Sequence, residues 1–251
     1  MRSAMRGAGI EPRRHGEEPF GVHWSADLGH CLKGRPLGVA FDVGAHRGET
    51  TLRLLEAFPE AQVHSFEPTP ESFAELERAT AGTGARVVNA AITERSGPLT
   101  IARGEASYQS GVDAPGERIE VRGLTVDDYA DEQGLQRIAL LKADTEGHEE
   151  AVLRGAGRRL AAGEIDFVVC ECEFTRRPEE PHGYFPAIHA TLEPLGYRVV
   201  SFYTGGVDNL GWLWGDVLYM RVTGERDRGQ VSLAPRAGAG RRGHGGAGRS
   251  G

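Results

Sequence analysis

Three acidic residues follow apolar runs that are typical of buried strands. They are Asp42, Glu67 and Asp144. In an open α/β sheet the carboxyl ends of parallel strands meet at one edge, and ligands bind there. Three carboxylates around one crevice predict a ligand that carries positive charge and hydroxyl groups. They disfavour a dinucleotide, because its phosphates require donor groups.

A glycine turn follows the first of these acids. Gly44 and Gly48 stand four residues apart, before a helical pattern that starts at about Glu49. A glycine lets a ligand approach the backbone because no Cβ is in the way. The spacing matches neither the dinucleotide fingerprint nor the lysine-containing phosphate loop, and an acidic helix start opposes a pyrophosphate. The turn therefore favours a cationic or zwitterionic ligand.

Glu67 lies 23 residues beyond Gly44, at the end of the second predicted strand. Nucleotide-binding sheets use an acid in this position to accept hydrogen bonds from the ribose hydroxyls. The alternative is a solvated glutamate at a strand end, and the nearby glycine turn favours the ribose role. The loop after the third predicted strand, about residues 86–91, should then pass the adenine.

Several motifs occur in the order that is typical of one enzyme family. They are FDVGAHRGET at 41–50, FEP at 66–68, NAAI at 89–92, LTVDDY at 124–129 and LKADTEGHE at 141–149. Over about residues 37–219 the chain resembles the FkbM family of methyltransferases that use S-adenosylmethionine (SAM). The resemblance implies methyl transfer to a hydroxyl of a natural product, sugar or polyketide-like acceptor. The acceptor itself does not carry over, because function belongs to sites rather than folds.

The same resemblance implies the fold and the cofactor contacts. The expected fold is a Rossmann-like, doubly wound α/β fold: a seven-stranded, mostly parallel sheet with an antiparallel last strand and helices on both faces. Asp42 is expected to help hold the amino group of SAM, and the turn residues to pack against its methionine part. His46 could reach the SAM carboxylate or face solvent. The expected cofactor-binding residues are Asp42, Gly44, His46, Gly48, Glu67, Pro68, Asn89, Ala91 and Asp144.

A hydroxyl acceptor reacts faster when a base lies within hydrogen-bond reach. The catalytic candidates are Asp144, His148, Glu171 and Glu173. A strand pattern points both of the last two away from Cys170 and Cys172, and one of them should face the site. His148 has a suitable ordinary pKa, but a surface histidine in the first helical turn is an equal alternative.

The acceptor contacts are expected from two regions. Glu146 and Glu149 stand beside the Asp144 strand tip, whereas Tyr108 and Gln109 belong to residues 97–122, which read as two short strands or a hairpin. Such insertions commonly carry substrate selectivity. Asp144 and Glu146 could instead bind Mg²⁺ that chelates an acceptor diol, although we prefer a metal-free site.

Composition limits the remaining choices. The 251 residues include 39% hydrophobic and 26% charged residues, as in soluble globular proteins. Residues 1–20 and the Gly/Arg-rich residues 224–251 are expected to be disordered tails around one methyltransferase domain at 21–223. That domain carries a net charge of −12, which argues against nucleic acid as the substrate.

The location expected for the chain is the cytoplasm. No apolar run is long enough to span a membrane, no secretory h-region is present, and three cysteines are too few for a disulfide framework. Two alternatives stay open for the function. One is an N-methyltransferase or a protein or RNA modifier that uses the basic tail as a recruiter, and the other is a non-catalytic SAM-binding protein.

Overall fold

A computed structural model of the protein describes residues 19–103, 117–175, 183–208 and 211–222. Tyr108 and Gln109 lie outside the described residues. So do residues 1–18 and 223–251, which include most of the predicted N-terminal tail and all of the C-terminal one. Within the described part of the chain, no helix is both long and apolar enough to cross a membrane.

Among the described residues, ten strands form two sheets. In chain order they are β1 (Val39–Val43), β2 (Gln62–Phe66), β3 (Arg86–Val88), β4 (Ala91–Ile92), β5 (Gly97–Arg103), β6 (Glu117–Leu124), β7 (Ile138–Ala143), β8 (Ile165–Glu173), β9 (Tyr197–Asp208) and β10 (Gly211–Arg221). The main sheet has the order β3-β2-β1-β7-β8-β10-β9, and the small sheet has the order β4-β6-β5. Strand β10 is antiparallel to both of its neighbours, while β3, β2, β1, β7 and β8 run parallel.

Seven α-helices of the described part of the chain surround the main sheet. They are α1 (Trp24–Leu32), α2 (Glu49–Ala57), α3 (Pro70–Thr80), α4 (Val126–Glu132), α5 (Glu149–Gly155), α6 (Gly157–Ala162) and α7 (Phe185–Leu192), which a 3₁₀ turn (Glu193–Leu195) extends. Helices α4 to α7 supply side chains to the apolar layer on one face, and α1 and α2 supply them to the layer on the other face. This architecture confirms the predicted Rossmann-like α/β fold.

Successive residues of the central strands enter different layers. Phe41 lies in the layer with α4 to α7, whereas Ala40 lies in the layer with α1 and α2. Fully burying a large apolar side chain contributes about 1.5–3 kcal/mol, so both faces fix the strand register. By the same alternation, Asp42 and Lys142 belong to the α1–α2 face at the carboxyl edge.

Two predicted elements differ from the structure in their extent. The strand predicted at 86–91 ends at Val88, and Ala91 pairs with Gly123 in the small sheet instead. The side chain of Asn89 explains the break, because its Nδ2 donates to the backbone oxygens of Glu67 and Pro68. The predicted hairpin within 97–122 is confirmed as the antiparallel pair of β5 and β6.

Gly44 brings the tips of β1 and β7 into direct contact. Its φ is 81°, and a Cβ placed on it would lie only 1.8 Å from the carbonyl oxygen of Asp144. The amide of Asp144 in turn donates to the carbonyl of Val43 at 3.1 Å. Only glycine therefore fits between these strand tips.

We expect Gly44→Ala to destabilise the protein more than a positive φ alone explains. Gly34 is the matched control, because its φ is 83° and a Cβ there would meet nothing within 4 Å. Gly34→Ala should cost about 1–2 kcal/mol, and Gly44→Ala at least ~2 kcal/mol more, since the strand tips must separate. Urea unfolding measures both. Equal losses would show that the contact with Asp144 is unimportant.

Candidate active site

A cavity of about 380 Å³ opens at the carboxyl ends of β1, β2 and β7. Polar groups from the strand tips line one part, and apolar side chains that include Leu99 and Ile101 of β5 line another. The remaining wall comes from the loop that connects β3 to β4. Of the predicted site residues, the cavity is lined by Gly44, His46, Glu67, Pro68, Ala91, Asp144, Glu146 and His148.

Glu67 is held in place by two backbone amides. Its Oε2 accepts from the N–H of His46 at 3.0 Å, and its Oε1 accepts from the N–H of Thr69 at 2.8 Å. The residue is only 6% exposed. Burial raises the pKa of this carboxyl, although the amide bonds partly oppose the effect. One bond to each oxygen leaves an acceptor position on each, since a carboxylate offers about four.

Lys142 is a buried cation between two carboxylates. Its Nζ lies 2.8 Å from Oδ2 of Asp144 and 3.8 Å from Oδ1 of Asp42, and the residue is 3% exposed. Burial lowers the pKa of the ammonium, but Asp144 and Asp42 more than offset this, so the pKa is raised overall. The group therefore stays charged and fixes the position of the Asp144 carboxylate at the cavity.

Asp42 does not line the cavity, which corrects the expectation that it holds the amino group of SAM directly. Its side chain is fully buried, and Oδ2 accepts from Oγ1 of Thr51 at 2.7 Å. Burial raises its pKa, while Lys142 and Thr51 lower it. Asp42 therefore acts on the cavity only through Lys142.

Glu149 holds the turn after β7 in place by accepting hydrogen bonds from groups of that turn. Its Oε1 accepts from the N–H of Thr145 at 2.7 Å, from Oγ1 of Thr145 at 2.9 Å and from the N–H of Gly147 at 3.3 Å. Because Glu149 is fully buried, the expectation that it contacts the acceptor is wrong. It holds Glu146, whose φ is 53°, and His148 at the cavity wall.

Carboxylates from three neighbouring strands share one face beyond Lys142. Glu171 of β8 pairs directly with Asp216 of β10, and the register of β7 with β8 places Asp144 beside Glu171. Burial, then the charges of Asp144 and Glu146, raise the pKa of Glu171 to about 9. Burial likewise raises the pKa of Asp216 to about 6. We name Asp144, Glu171 and Asp216 the acidic row.

Comparison with known proteins identifies the family. Residues 42–199 match the methyltransferase FkbM domain. The chain belongs to the FkbM methyltransferase family. One relative, the 31-O-demethyl-FK506 methyltransferase FkbM of Streptomyces tacrolimicus, is 31% identical. The match covers 51% of the chain and 63% of the relative, so the chain spans less than two thirds of that relative's length.

A second relative and a solved structure also carry methyltransferase names. Methyltransferase sdnD of Sordaria araneosa is 27% identical, and the match covers 63% of the chain and 73% of the relative's own length. The solved structure of the 1,6-didemethyltoxoflavin-N1-methyltransferase of Burkholderia thailandensis is 18% identical, with a TM-score of 0.42. That alignment covers 79% of the chain and 76% of the toxoflavin enzyme.

Four further predicted site residues do not line the cavity: Glu171 of the acidic row, Gly48, Asn89 and Glu173. Gly48 is buried, and a Cβ there would meet Leu76 of α3 at 3.1 Å, so this glycine serves helix packing. Asn89 fixes the loop after β2 through its two backbone contacts. Glu173 lies two residues beyond Glu171 on the same face of β8, and its amide donates to the carbonyl of Gly183.

Sequence reasoning missed two charged residues of the site, Lys142 and Asp216. A signal existed for Lys142, because it is one of only two lysines and interrupts an apolar strand next to an acid. Asp216 gives no such signal, since only the antiparallel register brings it to Glu171. Among the described residues, no group of three or more His, Cys, Asp or Glu side chains is arranged to hold a metal ion.

Lys142→Met should destabilise the protein by about 3–5 kcal/mol, because it leaves Asp42 as an uncompensated buried charge. The double variant Asp42→Asn/Lys142→Met should recover at least half of that loss. Lys33→Met is the matched control at the other lysine, which is exposed, and should change stability by less than ~0.5 kcal/mol. Urea unfolding measures all three, and simple additivity in the double variant would contradict the coupling.

Glu171→Gln should stabilise the protein increasingly as pH rises. The unfolded carboxyl ionises near 4.5 and the native one only near 9, so the native state binds more protons and wild-type stability falls across this window. Glutamine mimics the protonated form. The gain should be near zero at pH 4.5 and on the order of 1–3 kcal/mol at pH 9 after solvent screening.

Thermal unfolding across this pH range measures the difference between the two proteins. Glu120→Gln, at an exposed position of the small sheet, is the control and should give a flat difference. If the difference for Glu171→Gln is also independent of pH, the assignment of Glu171 to the acidic row is wrong.

Proposed function

We propose that the protein is a SAM-dependent O-methyltransferase that acts on a hydroxyl of a small molecule. Membership of the FkbM methyltransferase family supports the reaction class. The observation that carries the cofactor assignment is Glu67, a buried carboxylate in the cavity wall with one bond and one remaining acceptor position on each oxygen. This arrangement suits the two hydroxyls of a ribose.

The other parts of the cavity fit the same cofactor. Asp144, which Lys142 holds in position, would accept from the ammonium of the methionine part. Gly44 keeps the β1 tip free of a side chain, and the N–H of His46 is already used to orient Glu67. Apolar side chains of β4 and β5, including Ile92, Leu99 and Ile101, would pack against the adenine.

When bound, SAM supplies an electrophilic methyl group on a sulfonium. The protein then has to align an acceptor hydroxyl with that methyl and to take up the hydroxyl proton. Glu171 is the group that we assign to the proton, because it is half-buried and the strand register places it beside Asp144, which lines the cavity. Its raised pKa makes the ionised form a strong base, and a nearby positive charge favours that form.

Calorimetric titration with SAM and with its demethylated product tests the cofactor assignment. Wild type should bind SAM with a Kd in the micromolar range (about −8 kcal/mol). Glu67→Gln should weaken binding about 10- to 100-fold, because hydrogen bonds to charged groups contribute ~1.5–3 kcal/mol. Glu77→Gln, at an exposed position of α3, should bind like wild type.

Transfer of a labelled methyl group from SAM to hydroxylated acceptors is the second stage of this test. It is run with and without Mg²⁺, which separates metal-dependent from metal-independent acceptors. A wild-type protein that binds neither SAM nor its demethylated product would sink the proposal. Binding that Glu67→Gln leaves unchanged would refute the ribose assignment alone.

A further inference from the structure

Trp214 of β10 is a large aromatic side chain that remains 42% exposed. Its indole lies directly on the backbone of β9: a Cβ at Gly205 would fall 2.0 Å from Cζ3, and a Cβ at Gly206 would fall 2.5 Å from Nε1. The two glycines therefore form a flat bed that supports one face of the ring. Because the position of the indole is fixed, the exposed part is a rigid stacking surface.

A β-bulge sets this arrangement. The pairing of β9 with β10 shifts between Trp214 and Gly215, so Gly205 is left without a partner. Bulges increase the local twist and re-aim side chains, and they are common beside active sites. The pairing of β10 with β8 is regular over the same residues, with Trp214 opposite Glu173 and Asp216 opposite Glu171.

The regular register puts the indole next to the acidic row. Trp214 and Asp216 are two residues apart on β10 and so point to the same face as Glu171. Neighbouring strands are about 4.8 Å apart, so Trp214 stands roughly 10 Å from the line of β7. Asp144, which lines the cavity, follows that strand.

We propose that Trp214, Asp216 and Glu171 form the acceptor subsite, in which a neutral ring stacks on the indole and its hydroxyls bond to the two carboxyl groups. This inference rests on the proposed methyltransferase function and adds to it a binding surface and a ligand class. The apolar C–H face of such a ring matches the indole. Its hydroxyls match the row because each hydroxyl both donates and accepts.

Charge selects among possible rings. The three carboxyl groups of the acidic row, together with Glu146, outnumber the cations Lys142 and Arg53 that act on them, so phosphorylated or carboxylated rings are repelled. When the demethylated cofactor is bound, no sulfonium charge favours the ionised base, and burial keeps a proton on Glu171 near neutral pH. That proton is a donor that an ammonium group cannot accept, so a neutral ring fits better than a cationic one. The pair of Glu171 and Asp216 therefore presents both a donor and an acceptor to a hydroxyl.

The test follows the indole N–H signals of the ¹⁵N-labelled protein, which has three tryptophans, in its complex with the demethylated cofactor. Methyl β-glucopyranoside is the neutral probe, glucosamine the cationic one and glucuronate the anionic one. The indole signal that is missing from the spectrum of Trp214→Phe belongs to Trp214. We expect the neutral probe to shift this signal and to bind with millimolar affinity. Trp214→Ala should abolish its binding.

Gly205→Ala is the decisive variant. It keeps the tryptophan, but the new Cβ would force the indole away from the backbone that supports it. It should weaken binding of the neutral probe at least tenfold, whereas Val207→Ala, at an exposed residue of the same hairpin, should leave it unchanged. Binding that survives Trp214→Ala, an absence of binding in wild type, or a preference for glucosamine or glucuronate would each overturn the proposal.

Calorimetry with SAM on the same variants separates the two levels of the argument. Trp214→Ala and Gly205→Ala should bind SAM like wild type. If wild type fails to bind SAM, the proposed function itself is wrong. If SAM binds normally and the neutral ring does not depend on Trp214, only the acceptor subsite is wrong.

Discussion

The buried ammonium of Lys142 is the interaction on which the carboxyl edge of the sheet depends. A charge taken out of water is tolerated only when partners compensate it, and Asp42 and Asp144 do so from adjacent strand tips. One oxygen of Asp42 pairs with the ammonium on its buried side, and the other accepts a hydrogen bond from Thr51 of α2. Asp144 then receives an orientation that a solvated carboxylate at a loop would not have.

This ion pair also explains how several acids can share a small volume. Asp144, Glu171 and Asp216 stand on adjacent strands, and the charge of Asp144 adds to burial in raising the pKa of Glu171 and of Asp216. Lys142 neutralises part of the row, and burial keeps a proton on Glu171 near neutral pH. The result is an edge that is negative but not fully ionised, which differs from the simple crevice of three carboxylates that the strand patterns predict.

The sequence predicts the parts of the molecule that local chemistry determines. Apolar runs, glycine turns and caps such as Thr125, which accepts from the N–H of Asp128, locate most elements within a few residues. The roles of Asp42 and Glu149 were wrong because sequence places an acid at a strand tip without saying whether it faces a ligand or the protein. Both side chains are buried, and one oxygen of each accepts from the protein: Asp42 accepts from Thr51, and Glu149 accepts from the turn at Thr145.

The sequence does not show that residues near the end of the chain belong to the site, because their position depends on long-range strand pairing. Asp216 and Trp214 reach Glu171 and Glu173 only because β10 inserts antiparallel between β8 and β9. The register of such a pair depends on which residues fill the layers beneath it, and the bulge at Gly205 has no signature beyond a Gly-Gly pair. Long-range pairing therefore determines the proposed acceptor subsite, whereas local motifs determine the proposed cofactor contacts.

The small sheet has a consequence for how this architecture can change over time. Leu99 and Ile101 line the cavity from β5, whose strand partners all belong to the small sheet rather than the main one. Substitutions, insertions or altered lengths there leave every hydrogen-bond ladder of the main sheet intact. Descendants of such a chain can therefore change this wall of the cavity while they keep Lys142, Glu67 and the glycine contact. The part of the cavity that can vary lies on the small sheet, and the part that must stay the same lies on the main sheet.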